Sequence, residues 1–175
     1  MGHLDRDIHP KGCVNSSSYI ANGIEMRKIE DISLKNATAD DFGYFYTLRK
    51  LTMTEHFIAA GKEWNDEEID RHKKKFDINT LKIIFADGRR VGFIKLMPIP
   101  LSIEVSHFCL EPAMQGRGIG AHVMMKVLEI AQVQDLRVVL NVLIGNQASR
   151  FYERLGFART SGDDPLLKYY VWEPL

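Results

Sequence analysis

The chain has 175 residues, of which 45% are hydrophobic, and this length and composition predict one domain with a substantial buried core. Its 23 Lys and Arg residues balance its 23 Asp and Glu residues, so no net charge favours nucleic acid or an acidic membrane surface as a partner. Its two cysteines are too few for a disulfide framework and lack metal-site spacing, and no apolar run reaches the ~18 residues of a transmembrane helix. We therefore expect a soluble, cytoplasmic protein that binds no metal, no nucleic acid and no membrane.

The first 25 residues differ in pattern from the rest of the chain. They contain the polar stretch N-S-S-S and show no sustained periodicity, which predicts a flexible N-terminal leader over residues 1–25. Residues 26–175 are predicted to form a single folded domain. Met26 is an alternative start of the natural chain.

The sequence beyond the leader predicts a mixture of strands and helices. In chain order, the predicted elements are a strand at 32–36, a helix through 42–51, a helix at 65–76, strands at 81–86, 91–96 and 101–110, a helix from 118, a strand at 137–144, a helix from 146, and strands at 158–160 and 167–172. Thr38 and Asp41 have the spacing of a capping box before the first helix, and Asp87-Gly88 predicts a hairpin turn. The strand at 137–144 is almost continuously apolar, which predicts burial on both faces.

The strand at 101–110 contains a change of phase. Apolar residues alternate with polar ones from Leu101 to Val105, but the next apolar residues, Phe108 and Leu110, are displaced by one position. Because side chains alternate strictly along a strand, an extra residue near 106–107 would return both to the core face. The pattern therefore predicts a β-bulge, and the alternative is a strand that ends near Ser106.

The stretch Q-G-R-G-I-G-A at Gln115–Ala121 lies between this strand and the following helix. Glycines at such a junction let a ligand approach the backbone, and the N–H groups of the first helical turn attract an anion. The spacing G-x-G-x-x-A is typical of dinucleotide sites, whereas Q-x-x-G-x-G is typical of acyl-CoA-dependent transferases. A dinucleotide site needs an acid at the end of the next strand, but that strand ends in V-L-I-G, so the acyl-CoA interpretation is favoured. The apolar stripe of the helix, expected to face the sheet, consists of Ile119, Val123, Val127 and Ile130.

Two motifs together carry a resemblance to a known family. The stretch L-E-P-A-M-Q-G-R-G-I-G-A-H-V-M, followed by N-Q-A-S-R-F-Y-E-R-L-G-F, resembles the two signature motifs of the GCN5-related N-acetyltransferase (GNAT) superfamily, and the chain resembles its fold across roughly residues 27 to 175. The stretch L-R-K-L-T, followed by Trp64 and then V-G-F-I, also resembles a subgroup of its small bacterial members. The resemblance implies an α/β (α+β) fold with a mixed, mostly antiparallel twisted sheet of six to seven strands. It also implies helices on both faces of the sheet and a bulge in the strand before the glycine loop.

The resemblance implies a site for acetyl-CoA as co-substrate. The implied cofactor-binding residues are Phe108, Cys109, Leu110, Gln115, Gly116, Arg117, Gly118, Ile119, Gly120, Ala121 and Asn146. In this family the loop amides bind the CoA pyrophosphate, with Arg117 adding a cation, while Gln115 orders the loop or reaches the cofactor. The pantetheine arm enters between the bulged strand and the next strand. The Phe108 amide then polarises the thioester carbonyl as an oxyanion-hole donor.

The same resemblance implies the catalytic groups. Tyr152 occupies the position of a tyrosine whose hydroxyl protonates the departing CoA thiolate, and Asn146 is placed to bond the pantetheine amides as well as to cap its helix. Glu104 stands where some members carry a glutamate base. With the bulge, Glu104, His107 and Cys109 are expected on the non-core side of the strand, so His107 or a water relay is an alternative base.

The implied activity is N-acetyl transfer to an amine by direct attack in a ternary complex. A non-catalytic acyl-CoA-binding regulator on the same fold is the alternative, and the presence of both Tyr152 and Glu104 favours the enzyme. The acceptor is expected to be a small-molecule or peptide amine. Acidic side chains at Glu63, Asp163 and Asp164 suggest a cationic one, and a homodimer is left open as the assembly.

Overall fold

A computed structural model describes residues 18–21, 24–27, 29, 31–59, 61 and 66–175 of the chain. The chain divides into two units, Met1–Glu30 and Asp31–Leu175. In the first unit, β1 (Ser18–Ala21) pairs antiparallel with β2 (Ile24–Arg27). The sequence indicated no element here, because four-residue strands are too short to show a period. The flexible leader at 1–25 and the domain at 26–175 stay predictions.

The second unit is built on one seven-stranded sheet. Its strands are β3 (Ile32–Asn36), β4 (Leu81–Ala86), β5 (Arg89–Ile99), β6 (Ser102–Leu110), β7 (Arg137–Leu143), β8 (Ala158–Thr160) and β9 (Leu167–Trp172). They lie in the order β3-β4-β5-β6-β7-β9-β8. Every neighbouring pair is antiparallel except β6 and β7, which are parallel. The predicted mixed, mostly antiparallel sheet is therefore confirmed.

Four α-helices of the described residues accompany this sheet. They are α1 (Phe42–Ala59), α2 (Asp66–Lys75), α3 (Ile119–Val133) and α4 (Ala148–Arg154), with short 3₁₀ helices at Ala39–Asp41 and Pro112–Met114. The Asp41 carboxylate accepts hydrogen bonds from the Thr38 backbone N–H at 2.8 Å and the Thr38 hydroxyl at 3.0 Å, so the predicted capping residues meet before α1. No helix within the described ranges has the length and apolar character required to cross a membrane.

The sheet has a buried core on the face that α1 covers. Its cluster consists of Ala37, Phe45, Leu48, Leu81, Ile83, Phe93 and Cys109. The rings of Phe45 and Phe93 lie 4.8 Å apart, centroid to centroid. Cys109 is only 6% exposed, so its expected placement on a non-core side is wrong. The physical reason is that α1 covers this face, whereas α3 and α4 lie on the other, and both faces of β6 are therefore packed.

The strand β7 is less buried than predicted, since burial on both faces was expected. Val138, Leu140 and Val142 are buried, but Asn141 between them is exposed and Val139 is half-buried. Only one face of the strand is therefore fully covered. The open face borders a small cavity between β6, β7 and β9.

The predicted bulge is present in β6. Lys95 of β5 pairs with His107, but the next residue, Leu96, pairs with Val105. Ser106 is therefore the extra residue on the bulged strand. This shift restores the alternation that the apolar pattern had lost.

The bulge coincides with the separation of the two parallel strands. β6 pairs with β7 only from Ser102 to Val105, against Arg137 to Leu140. Beyond Val105 both strands continue, β6 to Leu110 and β7 to Leu143, without pairing to each other. A gap therefore opens in the middle of the sheet.

Candidate active site

A cleft of about 710 Å³ lies where β6 and β7 separate. Its walls come from α1, the end of β6, the glycine loop with the start of α3, the loop after β7, and α4. Elements distant in sequence therefore meet at the gap in the sheet. A second cavity, of about 300 Å³, lies apart from it.

The glycine loop forms one wall of the cleft. Gly116 and Gly118 have φ angles of +72° and +81°, a conformation that residues with a Cβ rarely adopt. Gly118 is the N-cap of α3, so the unpaired N–H groups of the first helical turn follow it directly. The Gln115 side-chain amide donates a hydrogen bond to the Leu110 carbonyl at 3.0 Å. This bond ties the loop to the end of β6.

Not every residue of the glycine loop lines the cleft. Gln115, Gly116, Gly118, Gly120 and Ala121 line it. Ile119 is fully buried in the core, and Arg117 Nη1 lies 3.1 Å from the sulfur of Met114, and neither residue lines the cleft. The contact between Arg117 and the pyrophosphate therefore stays a prediction, and it requires the Arg117 side chain to move from Met114 toward the cleft.

Gly120 allows α3 to approach its neighbours closely. A Cβ at this position would lie 3.4 Å from the Phe151 ring of α4 and 3.6 Å from the Leu110 side chain. The first distance lies at the short limit of ordinary van der Waals contact. The third glycine of the loop therefore lies where α3 and α4 pack closely against each other.

The end of β6 supplies a second wall. Phe108, Cys109 and Leu110 all line the cleft. The Cys109 sulfur lies 3.5 Å from the hydroxyl of Thr52 on α1. Burial raises the pKa of the Cys109 thiol, although the Thr52 hydrogen bond and the Arg49 charge act in the opposite direction. The thiol is therefore held protonated near neutral pH.

The loop after β7 and α4 complete the cleft. The side-chain oxygen of Asn146 accepts a hydrogen bond from the backbone N–H of Ala148 at 2.9 Å, although the N-cap is Gln147, one residue later than predicted. Tyr152 lines the cleft although it is only 8% exposed, with its ring 5.0 Å from Phe151 and 5.6 Å from Phe157. Burial raises the pKa of the Tyr152 hydroxyl, and nearby Cys109 adds to the effect.

The two candidate bases lie outside this cleft. By their pairing with β5, Glu104, His107 and Cys109 share one face of β6, as predicted. Glu104 lines a separate cavity of about 300 Å³ together with Asn141 and other residues of β7 to β9. His107 places its Nδ1 3.0 Å from the Ser106 hydroxyl and its ring 6.0 Å from Phe45.

Several cleft residues had no signal in the sequence. Thr52, Met53 and His56 of α1 line it, as does Arg154 of α4. Helical spacing relates Thr52 to His56, but only the packing of α1 against β6 shows that this side of the helix faces the cleft. Among the described residues that line the cleft none is Asp or Glu, so the cleft suits an anionic ligand. No group of three His, Cys, Asp or Glu side chains in the described ranges is arranged to hold a metal ion.

Comparison with known proteins identifies the family. Residues 45–157 match the model of the Acetyltransferase (GNAT) family, which is more than half of the chain. The chain belongs to this family. The fold is therefore that of a GNAT domain, and the family assignment supports acetyl transfer from acetyl-CoA.

Solved structures give the same fold at low identity. The PaiA N-acetyltransferase from Thermoplasma acidophilum, in complex with coenzyme A, covers 82% of this chain and 99% of its own, with a TM-score of 0.67 and 17% identity. An acetyltransferase from Thermus thermophilus covers 83% and 99%, with a TM-score of 0.67 and 20% identity. Ard1 from Thermoplasma volcanium covers 82% and 98%, with a TM-score of 0.62 and 18% identity. A search of curated protein sequences finds no significant match.

Proposed function

We propose that this GNAT protein transfers the acetyl group of acetyl-CoA to an amine by direct attack in a ternary complex. The observation that carries the proposal is the cleft at the gap between β6 and β7. It brings the glycine loop, the end of β6 beyond the bulge and Tyr152 together around one space. These are the groups needed to bind a diphosphate, position a thioester and protonate a thiolate.

The glycine loop is suited to the diphosphate of CoA. Left-handed glycines at Gly116 and Gly118 expose the backbone before α3, and the N-terminus of that helix favours negative charge. The Gln115 hydrogen bond to Leu110 supports a role in ordering the loop. The lack of Asp and Glu among the described cleft-lining residues removes the charges that would repel a diphosphate.

The end of β6 is suited to the pantetheine arm and the thioester. Beyond Val105, β6 no longer pairs with β7, so the backbone of Phe108 to Leu110 can bond a ligand in place of a strand. In this arrangement the Phe108 amide donates to the thioester carbonyl oxygen as negative charge develops there. Asn146, which lines the same cleft, bonds the amides of the pantetheine arm.

Tyr152 is suited to act as the acid. Burial raises the pKa of its hydroxyl, so the group keeps its proton at neutral pH and can give it to the departing thiolate. Packing against Phe151 and Phe157 fixes the ring. A fixed, protonated hydroxyl is what a general acid requires.

The acceptor and its base are predictions from the sequence. An alkylamine with an ordinary pKa near 10.4 is almost wholly protonated at pH 7, so a proton acceptor is required, and Glu104, with His107 as its alternative, remains the prediction from sequence. Asp163 and Asp164 are exposed, which suits a cationic acceptor, whereas Glu63 lies outside the described residues. The cytoplasmic location and the homodimer stay predictions.

A screen of acceptors tests the proposal. Acetyl-CoA is incubated with amines, amino acids, peptides and aminoglycosides, while released CoA thiol is measured and the product is weighed by mass spectrometry. We expect stoichiometric thiol release and an acetylated amine for one class of acceptor. Binding of acetyl-CoA without turnover on any acceptor would instead support the regulatory alternative.

A further inference from the structure

One side of α1 lines the cleft. Thr52 and His56 are four residues apart, so they lie on the same side of the helix. Both line the cleft, and the Thr52 hydroxyl contacts the Cys109 sulfur at 3.5 Å. His56 is therefore one helical turn beyond the point where α1 meets the end of β6.

The cleft holds few groups that can exchange a proton. In the part of the chain that the structure describes, the ionisable side chains lining it are His56 of α1, Cys109 of β6, and Tyr152 and Arg154 of α4. On α1 itself, Glu55 is exposed beside His56 and the Arg49 charge acts on Cys109. Burial raises the pKa of both Cys109 and Tyr152, and a guanidinium stays charged. Imidazole is the side chain that ordinarily changes charge between pH 5 and 8.

We propose that His56 is a catalytic residue that accepts the proton of the attacking amine. This inference rests on the proposed acetyl transfer and names a group that the sequence did not indicate. Glu104 and His107 lie on the same face of β6 but do not line the cleft. His56 shares the cleft with Tyr152, so a base and an acid stand in one space.

The proton balance of the step is complete with these two groups. The lone pair of the neutral amine forms the N–C bond, and His56 takes one N–H proton, directly or through one water. As the C–S bond breaks, the sulfur keeps the bonding pair and takes the proton of Tyr152. The proton on His56 then returns the tyrosine to its neutral form through solvent, which leaves the amide and the free thiol.

The test is the pH dependence of kcat/KM for an acceptor found in the screen, at saturating acetyl-CoA. The amine alone gives a logarithmic slope of about 1 below its own pKa, and a base on the protein raises the slope to about 2 at lower pH, so the profile bends a second time. We expect the wild-type protein to show this second bend. In His56→Gln the bend should vanish and kcat should fall about a hundredfold, with partial rescue by added imidazole, while the acetyl-CoA Kd stays within about twofold.

Matched variants make the result decisive. His122 is exposed on α3 and does not line the cleft, so His122→Gln should keep both the bend and the rate. Circular dichroism checks folding, and His56→Asn replaces His56→Gln if the latter does not fold. A His56 variant that keeps the bend and at least about a third of kcat overturns the inference, as does loss of the bend in Glu104→Gln alone. No turnover by the wild-type protein on any acceptor overturns the proposed function together with it, so the two failures are distinguishable.

Discussion

The hydroxyl of Thr52 lies 3.5 Å from the sulfur of Cys109, inside the cleft and across the contact between α1 and the bulged strand. A cysteine in this position raises the question of whether the acetyl group passes through a thioester on the protein. Burial raises the pKa of the thiol, and the thiol form is a poor nucleophile. The surroundings of Cys109 therefore favour direct attack by the amine.

Removal of the sulfur tests direct attack. We expect Cys109→Ala to keep kcat within about tenfold of wild type, because only the backbone of this residue bonds the cofactor in the proposed mechanism. Loss of the buried side chain should still lower the free energy of unfolding by about 1 kcal/mol, measured by urea denaturation. For the wild-type protein, initial rates measured with both substrates varied should give intersecting lines in reciprocal plots. Parallel lines, with an acetyl group trapped on Cys109, would show a covalent intermediate instead.

Gly92 of β5 controls the position of the cleft end of β6. A Cβ at Gly92 would lie 2.4 Å from the backbone oxygen of Cys109 and 2.7 Å from the Leu110 side chain. Because backbone cannot yield as a side chain does, Gly92→Ala should lower the free energy of unfolding by about 1–3 kcal/mol and weaken acetyl-CoA binding. Gly43 of α1 is the control, since a Cβ there meets nothing within 4 Å. Gly43→Ala should stabilise the protein by about 0.5–1 kcal/mol.

The sequence was sufficient for features that depend on neighbouring residues. The change of phase between Val105 and Phe108 located the bulge, and the register places the extra residue at Ser106. Alternation is a local property of the chain, so a break in it can be read without knowing the partner strand. The left-handed glycines at Gly116 and Gly118 likewise follow from a short motif.

Features that depend on packing between distant elements could not be predicted. Ile130 was expected in the buried stripe of α3 but is 51% exposed, because near the end of the helix the buried side is formed by Leu128 and Ala131. Cys109 was expected away from the core because the coverage of that face by α1 has no local signal. His56 was missed for the same reason, since nothing in the sequence shows which side of α1 faces β6.

The substitution Tyr152→Phe distinguishes a general acid that acts in the transition state from a tyrosine that only packs. Tyr152→Phe keeps the ring and its contacts, so the fold and acetyl-CoA binding should stay close to normal. We expect kcat and kcat/KM to fall together by about a hundredfold, as for an interaction made only in the transition state. Steady-state kinetics with a competent acceptor measures both constants.

A second buried tyrosine provides the control for this change. Tyr170 is 2% exposed and donates a hydrogen bond to the Glu153 carboxylate at 3.2 Å, but it does not line the main cleft. Tyr170→Phe should cost about 1 kcal/mol of stability with little change in kcat. A fall of less than about threefold in Tyr152→Phe, with chemistry rate-limiting, would assign Tyr152 to packing alone.

Binding of acetyl-CoA to the glycine loop can be measured before any acceptor is known. Gly118 and Gly88 have φ angles of +81° and +76°, and a Cβ at either position meets nothing within 4 Å. Valine therefore strains the backbone similarly at both sites, but only Gly118 lines the cleft. Isothermal titration calorimetry of wild type, Gly88→Val and Gly118→Val with acetyl-CoA, and of wild type with NAD, isolates the role of the loop.

We expect wild type and Gly88→Val to bind acetyl-CoA with similar affinity and wild type to show no heat with NAD. Gly118→Val should lose at least about tenfold in affinity, or about 1.4 kcal/mol, while its circular dichroism spectrum stays that of a folded protein. Equal acetyl-CoA affinity in all three proteins, or binding of NAD and not of acetyl-CoA by wild type, would contradict the assignment of this cleft to acetyl-CoA.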